Sequence, residues 1–305
     1  MVATIPKLSF KLESSLAKIF KKEIEDLGFD VSSLANDDDV LQAYCSYSYR
    51  LIENRPRIIH KADSFVCPDE VKNGLTWLES KLKKGENVNP HLNSATKKDK
   101  LDGLLYDWGI HHLHLGEKFS SPGFVERSGP VLFAMFRPDD VYFIDIRNHE
   151  GWSDKSLLDI VNRNWPELIE QYWLKGVKPE SQLSENGITA TRKAGINTIV
   201  ELSDGKALVS IGGGITTAKT SLAAMDSYVE LKRALHDVEK EIRSCGNKLA
   251  THVSPKDHPF RDKTSFVFVC KRVGDDIRFC DVVNNNYWQN CWKVKTMKER
   301  YGISY

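Results

Sequence analysis

Val131-Leu132-Phe133-Ala134-Met135-Phe136-Arg137-Pro138-Asp139-Asp140-Val141-Tyr142-Phe143-Ile144-Asp145-Ile146-Arg147 is the stretch on which the fold turns. Two runs rich in apolar, β-branched and aromatic residues flank Arg137-Pro138-Asp139-Asp140. That break is a turn sequence, so residues 131–136 and 141–147 predict a β-hairpin. Upstream, residues 107–116 also suit a strand, which makes a small antiparallel sheet the centre of the chain. Downstream, Ser153 is placed to cap a helix carrying Leu157, Leu158, Ile160 and Val161. Pro166 is placed to open another through Leu168, Ile169, Tyr172 and Trp173.

Working outward, the first ninety residues read as helical. Leu12, Leu16, Ile19, Phe20, Ile24 and Leu27 share one helical face, with Gly28 at the stop. Asp37, Asp38 and Asp39 suit the positive end of a second helix over residues 38–53. A third follows Pro68 with the stripe Val71, Leu75, Leu78 and Leu82, then a polar connection over residues 86–100. On the far side, residues 175–190 look like a linker. Residues 198–202 and 207–211 flank Ser203-Asp204-Gly205-Lys206 as a hairpin. After Gly212-Gly213-Gly214 comes a long helix stopped by Gly246, then a strand pair over residues 264–273 and 277–283. The expected fold class is α+β: a helical N-terminal section, a small mostly antiparallel central sheet and a second α+β module at the C-terminus. The expected divisions are residues 1–67, 68–175 and 188–305.

Composition narrows the function classes. The 305 residues include 43 Lys+Arg against 42 Asp+Glu, so nucleic-acid contact must come from a local patch and not from bulk charge. A hydrophobic content of 41% fills a real core, and no run of about 18 apolar residues exists to span a membrane. No secretion signal is read at the N-terminus, and the six cysteines show no C-x-x-C pair. The expectation is a cytoplasmic protein with reduced thiols and no membrane contact.

The chemistry-bearing stretch is Gly109-Ile110-His111-His112-Leu113-His114-Leu115-Gly116. Strand alternation puts His112 and His114 on one face, about 6–7 Å apart at Cα, and sends Leu113 and Leu115 to the core. Asp145, Arg147 and His149 share a face of the downstream strand. If the two faces coincide, one surface holds three imidazoles, a guanidinium and a carboxylate. Two chemistries use that set. One is a divalent metal such as zinc on His112, His114 and His149, supporting hydrolysis. The other needs no cofactor: imidazoles act as acid and base on a ribose 2′-hydroxyl and a leaving 5′-oxygen, while Arg or Lys holds the phosphate.

The order of elements over residues 68–152 is similar to the RelE/HigB-type mRNA-interferase toxins. The likeness rests on the helix ending Leu82-Lys83-Lys84-Gly85, the histidine strand, the hairpin, and His149-Glu150-Gly151-Trp152. The resemblance implies a small sheet whose basic face enters the ribosome and cuts mRNA. His149 stands where such toxins often keep a histidine, and Trp152 where many have a tyrosine. Histidines replace the alternating Tyr/Arg pattern on the strand. With it come expected roles: His149 and one of His112 or His114 as the acid–base pair, and Arg147 or Arg127 as the phosphate clamp. Lys118 and Arg137 add substrate contacts, and Trp152 stacks a base. Six lysines lie between residues 81 and 100, a local positive segment suited to RNA. The expected function is an endoribonuclease toxin or antiphage defence effector, with RNA or the ribosome as partner and an antitoxin or trigger protein as regulator. The alternatives are a metal-dependent hydrolase and a non-catalytic regulatory component.

Beyond the linker the signals are bland. Gly212-Gly213-Gly214 fits neither the dinucleotide fingerprint nor the Walker pattern. Tyr228, Leu231, Leu235, Val238 and Ile242 form a packing face, with a homodimer through residues 220–244 as one use. Tyr287, Trp288 and Trp292 among Lys293, Lys295, Lys298 and Arg300 could stack bases. His252, His258, Cys270 and Cys280 lack tight zinc spacing.

Overall fold

The computed structural model describes residues 7–98, 101–120, 123–148, 152–179, 182–251, 265–273, 276–282 and 286–287. Its elements in chain order are β1 (Lys7–Lys11), α1 (Leu12–Asp26), α2 (Asp37–Arg50), β2 (Ile58–Lys61), α3 (Lys72–Lys84), α4 (Gly103–Trp108), β3 (His111–His114), β4 (Phe119–Ser120) and β5 (Phe124–Val125). They continue with β6 (Pro130–Phe136), β7 (Asp140–Asn148), α5 (Ser156–Asn164), α6 (Glu185–Ala194), β8 (Val200–Glu201), β9 (Ala207–Leu208), α7 (Leu222–Thr251), β10 (Ser265–Val273), β11 (Asp276–Asp281) and β12 (Asn286–Tyr287). The fold is α+β. Among the described residues no helix is long and apolar enough to cross a membrane.

The described residues form two compact units, one from the stretch ending at Cys45 together with the stretch that begins at Asp226, and one from Ser46–Met225. The first unit joins distant stretches because β1 pairs in parallel with β10 in a sheet of order β1-β10-β11-β12. Leu12, Leu16, Phe20 and Ile24, four residues of the foreseen stripe, are buried on α1. The backbone N–H of Cys270 donates to the Ser15 hydroxyl at 2.7 Å, tying that helix to β10. On α7, Leu235 and Ile242 are buried within the chain, and Lys232 bridges Glu13 and Asp38. The helix runs past Gly246 to Thr251, since an interior glycine costs only about 0.5–1 kcal/mol relative to alanine.

The second unit is built on a sheet of order β2-β7-β6-β3, with β7, β6 and β3 antiparallel and β2 parallel at the edge. Both faces are covered. Leu75, Leu78 and Leu82 of α3 pack with Leu113, Leu132, Val141 and Phe143 on one side. Leu157 and Val161 of α5, with Ile169, Ile188 and Ile211, pack with Ile110, Val131, Phe133 and Ile144 on the other. Alternation along β7 breaks at a bulge: Ala134 pairs with Phe143 but Phe133 with Asp145. Val141 and Phe143 therefore face α3, while Ile144 and Asp145 both lie on the opposite face, across from Phe133.

Several local expectations are corrected. Residues 107–116 are not one strand: Asp107 and Trp108 close α4, and the strand is only His111–His114. Asp102 caps α4 by accepting the Leu105 N–H at 3.1 Å, and Gly109 ends it at φ +67°. The helix expected to start at Ser153 starts at Ser156, whose N–H donates to Asp154 at 2.9 Å. The segment after Pro166 makes two 3₁₀ turns, Pro166–Leu168 and Glu170–Tyr172, in place of a helix. Strands β1 and β2 lie within the stretch expected to be wholly helical.

Two contacts hold β3 in place. A Cβ on Gly74 of α3 would sit 1.8 Å from the Leu115 carbonyl oxygen, so the helix backbone rides directly on the strand end. Gly74→Ala is expected to destabilise the protein by about 3 kcal/mol, read as a lowered urea midpoint at unchanged slope. On the same side, fully buried His91 donates from Nδ1 to the His114 carbonyl at 2.8 Å. Burial holds its pKa down at about 4. The unfolded chain therefore binds a proton that the folded one rejects, and stability falls as pH drops from about 6.5 toward 4. The loss attributable to His91 is about 3 kcal/mol over that window. Urea midpoints at pH 7, 5.5 and 4 are expected to show a shallower decline in His91→Asn than in the wild type.

Candidate functional site

The register of the three antiparallel strands decides which side chains meet. His112 lies opposite Phe133, which lies opposite Asp145; His114 lies opposite Val131, which lies opposite Arg147. The two faces singled out by alternation thus coincide, with His112, His114, Asp145 and Arg147 on one surface. The His112 and His114 rings are 6.2 Å apart, edge to face.

Their surroundings differ. His114 is 2% exposed and His112 only partly buried. The His112 ring packs edge-on against Trp152 at 4.3 Å, and Trp152 also leans on Phe133 at 5.8 Å. Arg147 is engaged by carboxylates: Nε donates to Asp145 at 2.7 Å, and Nη1 donates to Asp154 and to the Ser156 hydroxyl. It fastens the end of β7 to the start of α5. His149 lies outside the described residues. His111 points to the opposite face, edge-on to Phe136 at 5.2 Å, on the wall of a cavity of about 310 Å³ shared with Arg57 and Arg137. Burial holds its pKa down at about 4, so it is neutral near pH 7. Arg137 sits in the β6–β7 turn, at the far end of the hairpin from Arg147. Lys118 and Arg127 are exposed beside the short β4–β5 ribbon.

His112 and Trp152 line a cavity of about 320 Å³, together with Arg50, Asp102, Arg192 and Lys193. Arg192 projects from α6, whose start is capped by Ser184 and whose end is closed by Gly195 in the left-handed region. Its Nε donates to Asp107 at 2.9 Å, and the pair is almost fully buried. The guanidinium stacks over Trp108 at 4.1 Å, and Nη1 donates to the Trp152 carbonyl and the Ser153 hydroxyl. The Ser153 and Thr189 hydroxyls bond at 2.8 Å. Arg50, 4% exposed, donates from Nε to the Tyr106 hydroxyl at 2.6 Å and from Nη1 to the carbonyl of Lys98. Burial raises the pKa of the Asp102 carboxyl and lowers that of the Arg192 guanidinium.

Chemically, the cavity sets an imidazole and an indole beside three cationic side chains and one carboxylate whose ionisation is disfavoured. That combination suits a phosphate ester attached to a planar base. Among the described residues no group of three or more His, Cys, Asp or Glu side chains is arranged to hold a metal ion. The third histidine of the zinc alternative, His149, is outside that set.

Sequence reading missed Arg50, Asp102, Asp107, Arg192 and Lys193. Only Asp102 carried a local signal, as an N-cap residue ahead of Gly103-Leu104-Leu105 and seven residues before Gly109. No protein-family model matches the chain, and neither the curated proteins nor the solved structures contain a match to it.

Proposed function

We propose that the protein is a ribonuclease that uses His112 as an acid–base catalyst at the mouth of this cavity. The observation that carries the reading is the packing of His112 on Trp152 in a wall shared with Arg192 and Lys193. An imidazole in that position takes the proton of a 2′-hydroxyl as its oxygen attacks the adjacent phosphorus. The P–O5′ bond breaks, leaving a 2′,3′-cyclic phosphate and a 5′-hydroxyl, with the leaving oxygen protonated by a second acid. His149, three residues before Trp152, is the acid the sequence nominates. Arg147 is held by two carboxylates, Asp145 and Asp154, and does not line the cavity. Support for phosphate charge therefore passes to Lys193 and to the N–H groups that Arg192, paired with the single carboxylate of Asp107, still has to offer. Trp152 offers an indole for base stacking, worth about 1–3 kcal/mol per base.

The RelE/HigB resemblance of residues 68–152 supports mRNA on the ribosome as the substrate, and a toxin or antiphage effector as the biological setting. Lys118 and Arg127, exposed on the same unit, are available for backbone phosphates.

The test is cleavage of end-labelled single-stranded RNA, and of mRNA on purified ribosomes, by the purified chain with and without EDTA. Cleavage leaving cyclic phosphate ends and persisting in EDTA is expected, with a rate at least about 100-fold lower in His112→Ala. No cleavage of either substrate by the wild type, or an undiminished rate in a folded His112→Ala, would overturn the reading. Cleavage abolished by EDTA would replace it with metal-dependent hydrolysis.

A further inference from the structure

Arg192, only 5% exposed, lines the cavity, and its hydrogen bonds are incompletely made. Nε is satisfied by Asp107, and Nη1 by the Trp152 carbonyl and the Ser153 hydroxyl. Nη2 is buried and has no hydrogen-bond partner among the described residues. Buried guanidinium nitrogens are normally paired, because a desolvated N–H without an acceptor forfeits the bonds it made in water. The missing partner is an acceptor, and a guanidinium favours an anionic one with several oxygens.

The rest of the lining agrees. Arg50 and Lys193 add two further cationic side chains, one from the end of α2 and one from α6. Asp102, the carboxylate in the wall, already accepts the Leu105 N–H, and burial disfavours its charge. Ser153 and Thr189 place hydroxyls at the same wall. Trp152 and His112, whose rings pack together at 4.3 Å, also line the cavity and supply an aromatic surface suited to a planar base. At about 320 Å³ the cavity is at the small end of ligand pockets, which run to roughly 300–1,000 Å³. It suits one nucleotide and not a length of chain.

We propose that this cavity is a mononucleotide subsite, binding a nucleoside monophosphate with its phosphate held by Arg192 and Lys193 and its base against Trp152. The inference deepens the ribonuclease reading, on which it rests for the placing of His112 beside the bound nucleotide. Cleavage would then act on an unstacked nucleotide drawn out of a single strand, with duplexes poor substrates. Binding itself needs no chemistry and is measured separately.

The experiment is isothermal titration calorimetry of the intact chain with AMP, GMP, CMP, UMP, inorganic phosphate and unphosphorylated adenosine. Saturable binding of at least one monophosphate near one per chain is expected, with competition by inorganic phosphate and none detectable with adenosine. Arg192→Lys also disturbs the Asp107 pair, so the deciding variant is Lys193→Glu, at an exposed position. It is expected to weaken monophosphate binding at least tenfold at an unchanged thermal midpoint. Absence of monophosphate binding to the wild type, or equal binding by Lys193→Glu, overturns the subsite. Tight binding by a chain that cuts no RNA upholds the subsite and removes the ribonuclease reading. RNA cleavage without any nucleotide binding does the reverse.

Discussion

The buried pair of Arg192 and Asp107 holds the histidine-bearing unit around its cavity. Two charges taken out of water gain little unless their remaining donors and acceptors are met. Here Asp107 also accepts from the Ser210 hydroxyl at 2.7 Å, while its backbone carbonyl takes the Gly212 N–H at 2.9 Å. Arg192 reaches Trp152 and Ser153 and lies flat on Trp108. One ion pair thus links α4, α6, the approach to α5 and the loop after β9. The close approach of the two helices depends on Gly103, where a Cβ would stand 3.1 Å from Arg192 Cδ. Trp152 is held by its carbonyl, and that hold keeps its indole against His112.

A second constraint is the bulge in β7. With unbroken alternation, Asp145 and Arg147 would share a face with Val141 and Phe143, which are packed under α3. The extra residue at Ile144 turns the strand end over. Asp145 and Arg147 then join His112 and His114, while Ile146 returns to the core beside Leu132. Sequence alternation grouped Asp145 with Arg147 and His112 with His114, and it also located the hairpin. What it could not supply was the relation of the two pairs to each other, because a bulge leaves no mark in a run of large non-charged side chains such as Val141-Tyr142-Phe143-Ile144.

Legibility elsewhere follows the same physical division between local and distant causes. The helix stop at Gly85, the α1 stripe and the Ser203–Lys206 turn are local and were read directly, whereas α6, which ends at Gly195, begins inside residues 175–190 that read as a linker. Residues 107–116 misled because Leu104, Leu105, Tyr106 and Trp108 are all core residues, so apolar content could not separate a short helix from a strand. The cap at Asp102 and the stop at Gly109 were the discriminating signs. Arg192 and Asp107 are 85 positions apart, and Arg50 lies 56 from the Tyr106 hydroxyl it binds. No spacing rule connects such residues. The cationic part of the cavity was therefore invisible, although its aromatic edge, Trp152, had been singled out.

The three histidines of β3 show how position on an edge strand separates one residue type into three roles. His111 faces the α3 side at the strand's start, where Phe136 covers its ring edge and burial keeps it uncharged. His114 faces the other way but is sealed, and its carbonyl is the acceptor for buried His91. His112 shares the face of His114 but stands one register step nearer the cavity, opposite Phe133 and against Trp152, so it alone of the three lines the opening beside Arg192. A reactive imidazole needs access to a substrate as well as a neighbouring charge to act on. Access on this strand falls to His112, and the cations that complete the arrangement come from α2 and α6. Any chemistry the histidine run performs is therefore set by how those helices are anchored, more than by the run itself.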